Sequence, residues 1–277
     1  MTNLGSFLEQ TASRFKSAGI ESFQADAEQL IAFSLGLSRG ELVAKAFLNS
    51  QFTPEPSLIA LIDRRANREP LQHLTGVAFF RQLTLSVGQG VFVPRPETEA
   101  VVSVALDFLE TRPDAKVLDI GTGSGAIAIS IATEAGVEVD AIELSETAAN
   151  FASANIASNS ARVNLLVGDV REIELGFGDY DLVVSNPPYI PISAVPIDPE
   201  VRDYDPDLAL YGGEDGLDLI REIEELSQLL VRTGGMLLVE HADGQSDSVC
   251  ELLLANWQSV KAHPDPTGRL RFVSAIR

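Results

Sequence analysis

The sequence is poor in the residues that form cross-links or bind metals. Cys250 is the single cysteine among 277 residues, so the chain cannot form an internal disulfide, and we interpret it as a core side chain. His73, His241 and His263 are scattered at spacings that suggest no metal site. No apolar run approaches the roughly 18 residues that a membrane span needs, and Met1 begins no basic and apolar leader. We therefore expect a cytoplasmic protein with no metal and no membrane attachment.

Basic residues are also scarce. Twenty lysines and arginines face forty acidic residues, which gives a formal charge of −20. Such a surface repels phosphate backbones, so we expect no stable binding of nucleic acid. The local basic cluster of Arg64, Arg65 and Arg68 falls in the last turn of a predicted helix, where it complements the helix dipole.

The first part of the chain reads as helices only. Apolar residues recur at helical spacing, and glycines or capping residues stand where the helices should begin or end. Ser38 and Glu41 have the spacing of a capping box. We predict helices from Leu4 to Ala18, from Ser22 to Leu35, after Ser38, and from Thr53-Pro54 to about Arg68.

The spacing of apolar residues changes between about Val77 and Val93. Apolar and polar residues alternate around Gly88-Gln89-Gly90, which predicts a β-hairpin with its turn at these glycines. The charged and rigid stretch Pro94-Arg95-Pro96-Glu97-Thr98-Glu99 follows. From its residue types alone, this stretch is better interpreted as a turn with a helix cap.

From Lys116 onward, strands and helices alternate, which favours an α/β fold with a mostly parallel sheet covered by helices on both faces. Strands are predicted at Lys116–Ile120, Val137–Glu143, Val163–Val167, Asp181–Ser185, Met236–Glu240, Ser259–His263 and Leu270–Ile276. Helices are predicted at Ala100–Leu109, Gly125–Ala135, Glu146–Ser158, Leu217–Val231 and Gln245–Asn256. The last two of the seven strands are separated by a turn only and should pair antiparallel. Ligands of such folds bind beyond the carboxyl ends of the parallel strands.

The first of these strands ends in a glycine loop, Asp119-Ile120-Gly121-Thr122-Gly123-Ser124-Gly125. Its glycines permit close approach of a ligand, and the next helix N-terminus offers free N–H groups. The loop fits a dinucleotide fingerprint as well as an S-adenosylmethionine site. Asp119 favours the second, because a carboxylate attracts the cationic amino-acid end of S-adenosylmethionine and repels a pyrophosphate.

Polar side chains follow the next three strands too. Glu143 suits two ribose hydroxyls, Asp169 suits an adenine amino group, and Val170 can pack on the adenine ring. The fourth strand stops at Asn186-Pro187-Pro188-Tyr189, because two prolines can neither continue a ladder nor start a helix there. Asn186 and the proline carbonyls accept hydrogen bonds, and Tyr189 offers an aromatic face. This combination suits a planar nitrogen group.

These residues resemble those of class I S-adenosylmethionine-dependent methyltransferases that act on planar nitrogens. Three further stretches narrow the resemblance, which covers nearly the whole chain, to the peptide chain release factor glutamine N5-methyltransferases, the HemK/PrmC family. They are Glu69–Gly76 (EPLQHLTG), Val93–Glu99 (VPRPETE) and Asp207–Gly216 (DLALYGGEDG). The second contains Pro94–Glu99, a narrower marker of the family than the glycine loop or the Asn-Pro-Pro-Tyr motif, and it replaces the interpretation of this stretch as a turn only.

The resemblance implies a seven-stranded, Rossmann-like methyltransferase sheet, a small N-terminal helical bundle and a connecting β-hairpin. It divides the chain into a substrate-recognition domain at 1–75, the hairpin linker at 76–94 and a methyltransferase domain at 95–277. It implies methyl transfer from S-adenosylmethionine, with S-adenosylhomocysteine as product, to the glutamine of the Gly-Gly-Gln motif in class 1 release factors. The implied catalytic residues are Asn186, Pro187, Pro188 and Tyr189, which with Arg95 also bind the substrate. The implied cofactor residues are Asp119, Gly121, Thr122, Gly123, Ser124, Gly125, Glu143, Asp169, Val170 and Asn186.

Alternative functions share parts of this pattern. A DNA or RNA amino-methyltransferase would use the same cofactor residues and the same Asn-Pro-Pro-Tyr chemistry, although the charge of −20 and the lack of a basic strip count against it. A non-catalytic docking protein that only binds the cofactor is disfavoured by the intact Asn186 and Tyr189. An NAD-dependent oxidoreductase is the third alternative.

Two segments carry further expectations. The family often has Gly-Arg-Asp-Arg near the carboxyl terminus, where this chain has Gly268-Arg269-Leu270-Arg271. We expect little consequence, because this segment should lie far from the cofactor. The stretch from Ile190 to Gly216 shows no helical or strand period, and so long a loop directly after the motif is a candidate wall of the substrate site.

Overall fold

The computed structural model describes residues 1–48 and 50–277, and these form two compact units. The first, here called the helical unit, comprises Met1–Val77 and Ile197–Tyr204. The second, here called the sheet unit, comprises Ala78–Pro196 and Asp205–Arg277. The segment at 197–204 therefore belongs to the helical unit, although it lies within the long stretch after the Asn-Pro-Pro-Tyr motif.

The secondary-structure elements alternate between strands and helices in the second half of the chain. The strands are β1 Thr2–Asn3, β2 Gln51–Phe52, β3 Val77–Phe80, β4 Leu83–Ser86, β5 Lys116–Ile120, β6 Glu138–Glu143, β7 Val163–Val167, β8 Tyr180–Ser185, β9 Val231–Glu240, β10 Gln258–Pro264 and β11 Leu270–Ile276. The helices are α1 Leu4–Ser17, α2 Phe23–Leu35, α3 Arg39–Phe47, α4 Pro56–Ala66, α5 Leu71–Thr75, α6 Glu99–Leu109, α7 Ala126–Ala135, α8 Glu146–Ser158, α9 Pro199–Tyr204, α10 Asp218–Leu230 and α11 Ser246–Leu254. No helix of the described residues is long and apolar enough to cross a membrane.

The helical unit buries one apolar face of each of its longer helices in a common core around Phe15, Leu30 and Leu58. The predicted capping box of α3 is confirmed, with Ser38 and Glu41 bonded to each other's backbone N–H groups. The predicted start of the fourth helix was wrong. Pro56, and not Pro54, occupies the first turn of α4, where a missing N–H leaves no bond unmade.

The sheet unit contains the predicted seven-stranded sheet, in the order β10-β11-β9-β8-β5-β6-β7. β7, β6, β5, β8 and β9 run parallel, and β11 pairs antiparallel with both β9 and β10. Two hydrophobic clusters form its core, which places helices against both faces. The strand order reverses between β5 and β8, the position at which open α/β sheets bind ligands.

The predicted hairpin exists, but its turn lies at Arg81-Gln82, between β3 and β4, and not at Gly88-Gln89-Gly90. Arg81 adopts a left-handed backbone with φ of 51°, unusual for a non-glycine residue. Its backbone N–H donates to Glu99 Oε1 at 3.0 Å, and its guanidinium Nε donates to Glu134 Oε1 at 2.6 Å. These contacts stabilise a turn that carries no glycine signal.

The stretch after the motif is also more ordered than the sequence predicts. It contains α9 and a short 3-10 turn at Asp207–Ala209. Within the helical unit, the Arg65 guanidinium donates to Glu200 on α9 at 2.8 Å, and the Tyr204 hydroxyl donates to the Asn67 carbonyl at 3.1 Å. Polar pairs hold this segment, so it lacks the apolar period by which helices are predicted.

Candidate active site

Four neighbouring strands end at one edge of the sheet, here called the carboxyl edge. Ile120 of β5 pairs with Ser185 of β8 and with Ile142 of β6, and Glu143 pairs with Val167 of β7. The glycine loop follows β5, Asn186 follows β8, and Gly168-Asp169 follows β7. Glu143 is itself the last residue of β6. The structure thus brings the sequence-predicted residues together along one edge, on both sides of the point where the strand order reverses.

The glycine loop turns sharply between β5 and α7. Gly121, Gly123 and Gly125 all have positive φ, and a Cβ at Gly125 would lie 2.8 Å from Ile129 Cδ1. Other residues are strained in that backbone conformation, so the loop requires glycine. It therefore exposes backbone rather than side chains beside the N-terminus of α7.

Glu143 organises this loop. Its Oε2 accepts the Gly123 N–H and its Oε1 accepts the Ser145 N–H, both at 2.8 Å. Each carboxylate oxygen accepts up to two hydrogen bonds, so both retain capacity for a hydroxyl donor. The side chain is buried at the end of β6, beside the loop that the sequence assigns to the same ligand.

Asp119 is fully buried at the base of the loop. Its Oδ2 accepts the Thr122 hydroxyl at 2.7 Å and the Ala128 N–H at 3.1 Å, whereas its Oδ1 has no hydrogen-bond partner among the described residues. Burial raises the pKa of this carboxyl to about 7. An unpartnered, buried acceptor beside a glycine loop fits a ligand group that brings a donor or a positive charge.

Asp169 is held by Arg171. The Arg171 backbone N–H and Nε donate to Asp169 Oδ1 at 3.0 and 2.8 Å, and the guanidinium also bonds Oδ2. These bonds from Arg171 lower the pKa of Asp169 to about 2. Val170 is half-buried against the core. An amino group of a ligand would share Asp169 with Arg171, a competitor that the sequence pattern does not reveal.

Asn186 is oriented by a hydroxyl from another element. Its Nδ2 donates to Thr98 Oγ1 at 3.3 Å, and Thr98 is buried at the end of the 3-10 turn Pro96–Thr98 that precedes α6. Among the described residues nothing donates to Asn186 Oδ1 or to the Pro187 carbonyl. Two acceptors at the end of β8 therefore remain available to a ligand.

The rest of the Asn-Pro-Pro-Tyr motif is held by the stretch at 210–216. A Cβ on Gly212 would lie 2.4 Å from the Pro188 carbonyl oxygen, and one on Gly216 would lie 2.2 Å from that of Tyr189. Gln245 Nε2 donates to the Tyr189 carbonyl at 3.0 Å. Burial raises the pKa of the Tyr189 hydroxyl, and its ring packs against the core. These glycines let a second chain segment approach the motif backbone closely.

Comparison with known proteins identifies the family. A family profile described as PrmC N-terminal domain matches residues 6–76, and one described as Methyltransferase small domain matches residues 82–195. Release factor glutamine methyltransferase of Streptomyces coelicolor is 44% identical over 275 residues, which cover 96% of this chain and 95% of that one. The protein of the same name from Mycolicibacterium smegmatis is 43% identical over 287 residues, covering 100% and 99% of the two chains. The chain belongs to the release factor glutamine methyltransferase family.

The solved structure of a methyltransferase from Pyrococcus furiosus resembles the fold of this family member. The two superpose with a TM-score of 0.52 at 21% identity, over 70% of this chain and 88% of that one. At this identity the likeness concerns the fold alone. It confirms the predicted α/β methyltransferase architecture.

Arg95, in the stretch Val93–Glu99, makes its contacts within the protein. Its guanidinium bonds Asp205 Oδ2 at 2.7 Å and lies 5.0 Å from the centre of the Phe92 ring. Asp205 is buried. Arg95 therefore joins the stretch before α6 to the segment that follows α9, a contact that the sequence does not predict.

The expectation that Gly268–Arg271 lies far from the site was wrong. β11 runs antiparallel to β9, so its first residues return to the carboxyl edge, and Phe272 pairs with Glu240 at the end of β9. The charge of Arg271 acts on both Glu240 and Tyr189. The sequence interpretation missed this because it did not follow the reversed direction of the last strands.

Two residues beside the site were also missed as functional candidates, Thr98 and Glu240. Thr98 lies inside the stretch Val93–Glu99, and Glu240 is the last residue of a predicted strand, as Glu143 is. A carboxylate at the end of a buried strand was therefore a signal that could have found Glu240.

Proposed function

We propose that this protein transfers a methyl group from S-adenosylmethionine to the N5 side-chain nitrogen of the glutamine in the Gly-Gly-Gln motif of class 1 peptide chain release factors. The observation that carries the proposal is the pair of available acceptors, Asn186 Oδ1 and the Pro187 carbonyl, at the end of β8. The two relatives match 96% and 100% of this chain, and their names support this choice of substrate.

The residues at the carboxyl edge fit S-adenosylmethionine. Asp119 Oδ1 lacks a partner and would receive the cationic amino-acid end, and Glu143 would accept the ribose hydroxyls. The glycine loop, with Thr122 and Ser124, would approach the cofactor through its backbone. Asp169 and Val170 would hold the adenine. When bound, S-adenosylmethionine supplies an electrophilic methyl group; S-adenosylhomocysteine is the product.

The amide nitrogen of glutamine is a poor nucleophile, because its lone pair is delocalised into the carbonyl. Asn186 Oδ1 and the Pro187 carbonyl accept hydrogen bonds from the two N–H groups of this nitrogen and so fix it in one orientation. The same acceptors stabilise the positive charge that develops on the nitrogen until one of its two protons is released to solvent, which leaves the neutral N-methyl amide and S-adenosylhomocysteine. Orientation of this kind can contribute about 7–11 kcal/mol to lowering a barrier.

The remaining parts of the chain receive proposed roles in binding the protein substrate. Pro188 and Tyr189 would form a flat wall against the planar amide, and Arg95 would act beside them. Residues 1–75 would recognise the release factor, with 76–94 as the linker and 95–277 as the methyltransferase domain. The charge of −20 supports a protein substrate over free nucleic acid.

The test is mass spectrometry of a class 1 release factor incubated with the protein and S-adenosylmethionine. We expect a gain of one methyl group on the Gly-Gly-Gln glutamine, and none with the Asn186→Ala variant. Parallel incubations with DNA and RNA use labelled S-adenosylmethionine. Label on nucleic acid and none on the release factor would overturn the proposal in favour of a nucleic-acid amino-methyltransferase.

A further inference from the structure

Gln245 links three chain segments of the sheet unit. It is half-buried and stands directly before α11, in the loop that follows β9. Its Nε2 donates to the Tyr189 carbonyl at 3.0 Å and to the Asp215 carbonyl at 3.4 Å. Its Oε1 accepts the Ala242 N–H at 2.8 Å. A single side-chain amide therefore joins the Asn-Pro-Pro-Tyr motif to the stretch at 210–216 and to the loop after β9.

The orientation of this amide follows from its partners. The Ala242 N–H can only donate, whereas the carbonyls of Tyr189 and Asp215 can only accept. The oxygen of Gln245 must therefore face Ala242, and its nitrogen must face the two carbonyls. A flipped amide would place like groups together in all three contacts, so the backbone partners leave one assignment of oxygen and nitrogen.

The stretch on the other side of Gln245 is itself anchored and shaped for this contact. The carboxylate of Asp215 accepts from both terminal nitrogens of Arg221 in α10. Gly216 has a φ of 80°, and a Cβ there would lie 2.2 Å from the Tyr189 carbonyl oxygen and 2.7 Å from Gln245 Nε2. The glycine therefore leaves the space in which Gln245 reaches the motif.

The motif should transmit a displacement at Tyr189 to the site of the substrate amide. Pro187 and Pro188 have no N–H group and a φ restricted to roughly −65°, so this backbone has no donor to anchor it and few torsions that can absorb a shift. The Pro187 carbonyl, one of the two proposed acceptors, lies two residues before the carbonyl that Gln245 bonds. A loss of that bond should therefore displace the Pro187 carbonyl together with the Tyr189 ring.

We propose that Gln245 is a positioning residue, which holds the Tyr189 carbonyl and so fixes the Pro187 carbonyl and the Tyr189 ring where the substrate amide binds. This inference rests on the proposed function above. It adds to that function a side chain that contacts neither the substrate nor the cofactor.

Asn155 provides a matched control in the same unit. Its Oδ1 accepts the Ser86 N–H at 2.7 Å, and its Nδ2 donates to the Ser86 carbonyl at 3.0 Å and to the Ser124 carbonyl at 2.8 Å. Like Gln245, this amide makes three hydrogen bonds to backbone groups, but one of them reaches the glycine loop and none reaches the motif. Changes at the two amides should therefore affect different halves of the site.

The first experiment compares Gln245→Met and Gln245→Glu with Asn155→Leu at about pH 8, where an exposed glutamate is ionised. Methionine makes none of the three hydrogen bonds, whereas glutamate still accepts the Ala242 N–H but cannot donate to Tyr189. We expect both Gln245 variants to lower kcat by roughly tenfold, the size of one lost hydrogen bond, at saturating S-adenosylmethionine and release factor. Isothermal titration should show S-adenosylmethionine affinity within about threefold of the wild-type value.

Asn155→Leu should give the opposite division, with S-adenosylmethionine affinity lowered by roughly tenfold and a smaller change in kcat at saturating cofactor. A wild-type kcat in Gln245→Met would overturn the inference. So would a wild-type kcat in Gln245→Glu, since the bond to Ala242 would then suffice. Gln245 variants that lose as much cofactor affinity as Asn155→Leu would also overturn it, because they would show a general loosening of the fold.

The second measurement does not depend on turnover. NMR follows the carbonyl carbon of Pro187 and the amide nitrogen of Ile190, which shares a peptide group with the Tyr189 carbonyl. We expect both resonances to shift in Gln245→Met and Gln245→Glu. An unshifted Pro187 carbonyl in both variants would overturn the inference even if the release factor is methylated.

The amide of Gly125 is the control resonance, because it shares a peptide group with the Ser124 carbonyl. It should shift in Asn155→Leu and stay in place in the Gln245 variants. A wild-type protein that methylates no release factor, while its Gln245 variants show the expected shifts, would instead contradict the proposed function.

Discussion

In the helical unit the buried guanidinium of Arg65 contacts two carboxylates and a carbonyl, whereas the buried carboxyls at the carboxyl edge of the sheet are left short of partners. Arg65 donates to Asp26 and Glu200 at 2.8 Å each and to the Glu69 carbonyl at 2.9 Å. Asp119 and Glu240 each retain one oxygen without a hydrogen-bond partner among the described residues. Their pKa values are raised to about 7 by burial.

The difference separates buried charges that maintain the structure from buried charges that have an unfilled position for a partner. A fully partnered buried charge is costly to disturb and chemically inert. A buried carboxyl with an open position is unfavourable in the isolated protein, and such groups concentrate at functional sites. This distinction can be tested by substituting a buried charged residue in either unit.

The largest effect is expected from Arg65→Ala, which leaves the buried Asp26 without its cation and leaves the half-buried Glu200 with Arg68 as its partner. We expect a loss of about 3–5 kcal/mol in the free energy of unfolding of the helical unit. Urea denaturation followed by circular dichroism measures it. Arg14→Ala is the matched control, because the Arg14–Asp63 pair is about half exposed on both sides and should contribute at most about 1 kcal/mol. Equal effects of the two changes would contradict the distinction.

Asp119→Asn should instead raise the free energy of unfolding at neutral pH. The unfolded chain releases this proton at its ordinary pKa of 3.8, whereas the folded protein keeps it up to about 7. Between these values the unfolded state binds fewer protons, so the group makes stability fall as pH rises, by at most about 1.4 kcal/mol per pH unit. Unfolding free energies at pH 5 and pH 7, without cofactor, should show a smaller fall in the variant than in the wild-type protein.

The same Asp119→Asn variant should bind S-adenosylmethionine roughly tenfold more weakly or worse, because a neutral amide replaces a charged acceptor. Isothermal titration measures this affinity. An unchanged affinity together with an unchanged pH dependence would place Asp119 with the structural charges of the helical unit.

Gly212→Ala tests whether the backbone behind the motif must be approached closely. The added Cβ would lie 2.4 Å from the Pro188 carbonyl oxygen, so the motif must shift. A displacement of this size next to the reacting atoms lowers turnover by about 10²-fold. Steady-state kinetics should show this loss while S-adenosylmethionine affinity changes little. Wild-type turnover in the variant would mean that the motif tolerates the shift.

Gly40→Ala gives the smallest expected effect, and of opposite sign. Gly40 lies in α3 with open space around its Cβ position and no left-handed backbone. Alanine should therefore stabilise the helical unit by about 0.5–1 kcal/mol, through the lower entropy of the unfolded chain. A higher midpoint in urea denaturation, with unchanged turnover, is the expected result.

The sequence predicts the sheet well because its strands are buried, continuous apolar runs separated by amphipathic helices. Lys116–Ile120 and Val163–Val167 agree with the structure to the residue. The hairpin turn was misplaced because Arg81 holds a left-handed conformation through contacts with Glu99 and Glu134, which are distant in sequence. Gly88-Gln89-Gly90 also forms a turn, in which the Val91 N–H donates to the Gly88 carbonyl at 3.3 Å and Gly90 has a φ of 92°, but this turn follows β4 and does not join the two strands of the hairpin.

Candidate site residues could be predicted where a single polar residue stands at the end of a predicted strand, as Glu143 and Asn186 do. It was not predictable where a contact joins separate elements. Nothing in the sequence indicates that Thr98 contacts Asn186, or that Arg171 occupies Asp169 in the absence of a ligand. Both contacts depend on side-chain directions that the tertiary fold determines. The position of Arg271 required the reversed direction of β11.

The proposed function depends most directly on Asn186 as the acceptor that orients the substrate amide. The measurement is the turnover of Asn186→Asp on a release factor, beside its affinity for S-adenosylmethionine. A carboxylate at position 186 still accepts hydrogen bonds, but it adds a negative charge and can itself become protonated. We therefore expect kcat to fall by about 10²-fold or more. Cofactor affinity should remain within about threefold, because Asp119 and Glu143 are intact. Unchanged turnover in Asn186→Asp would remove Asn186 from the mechanism and contradict the account.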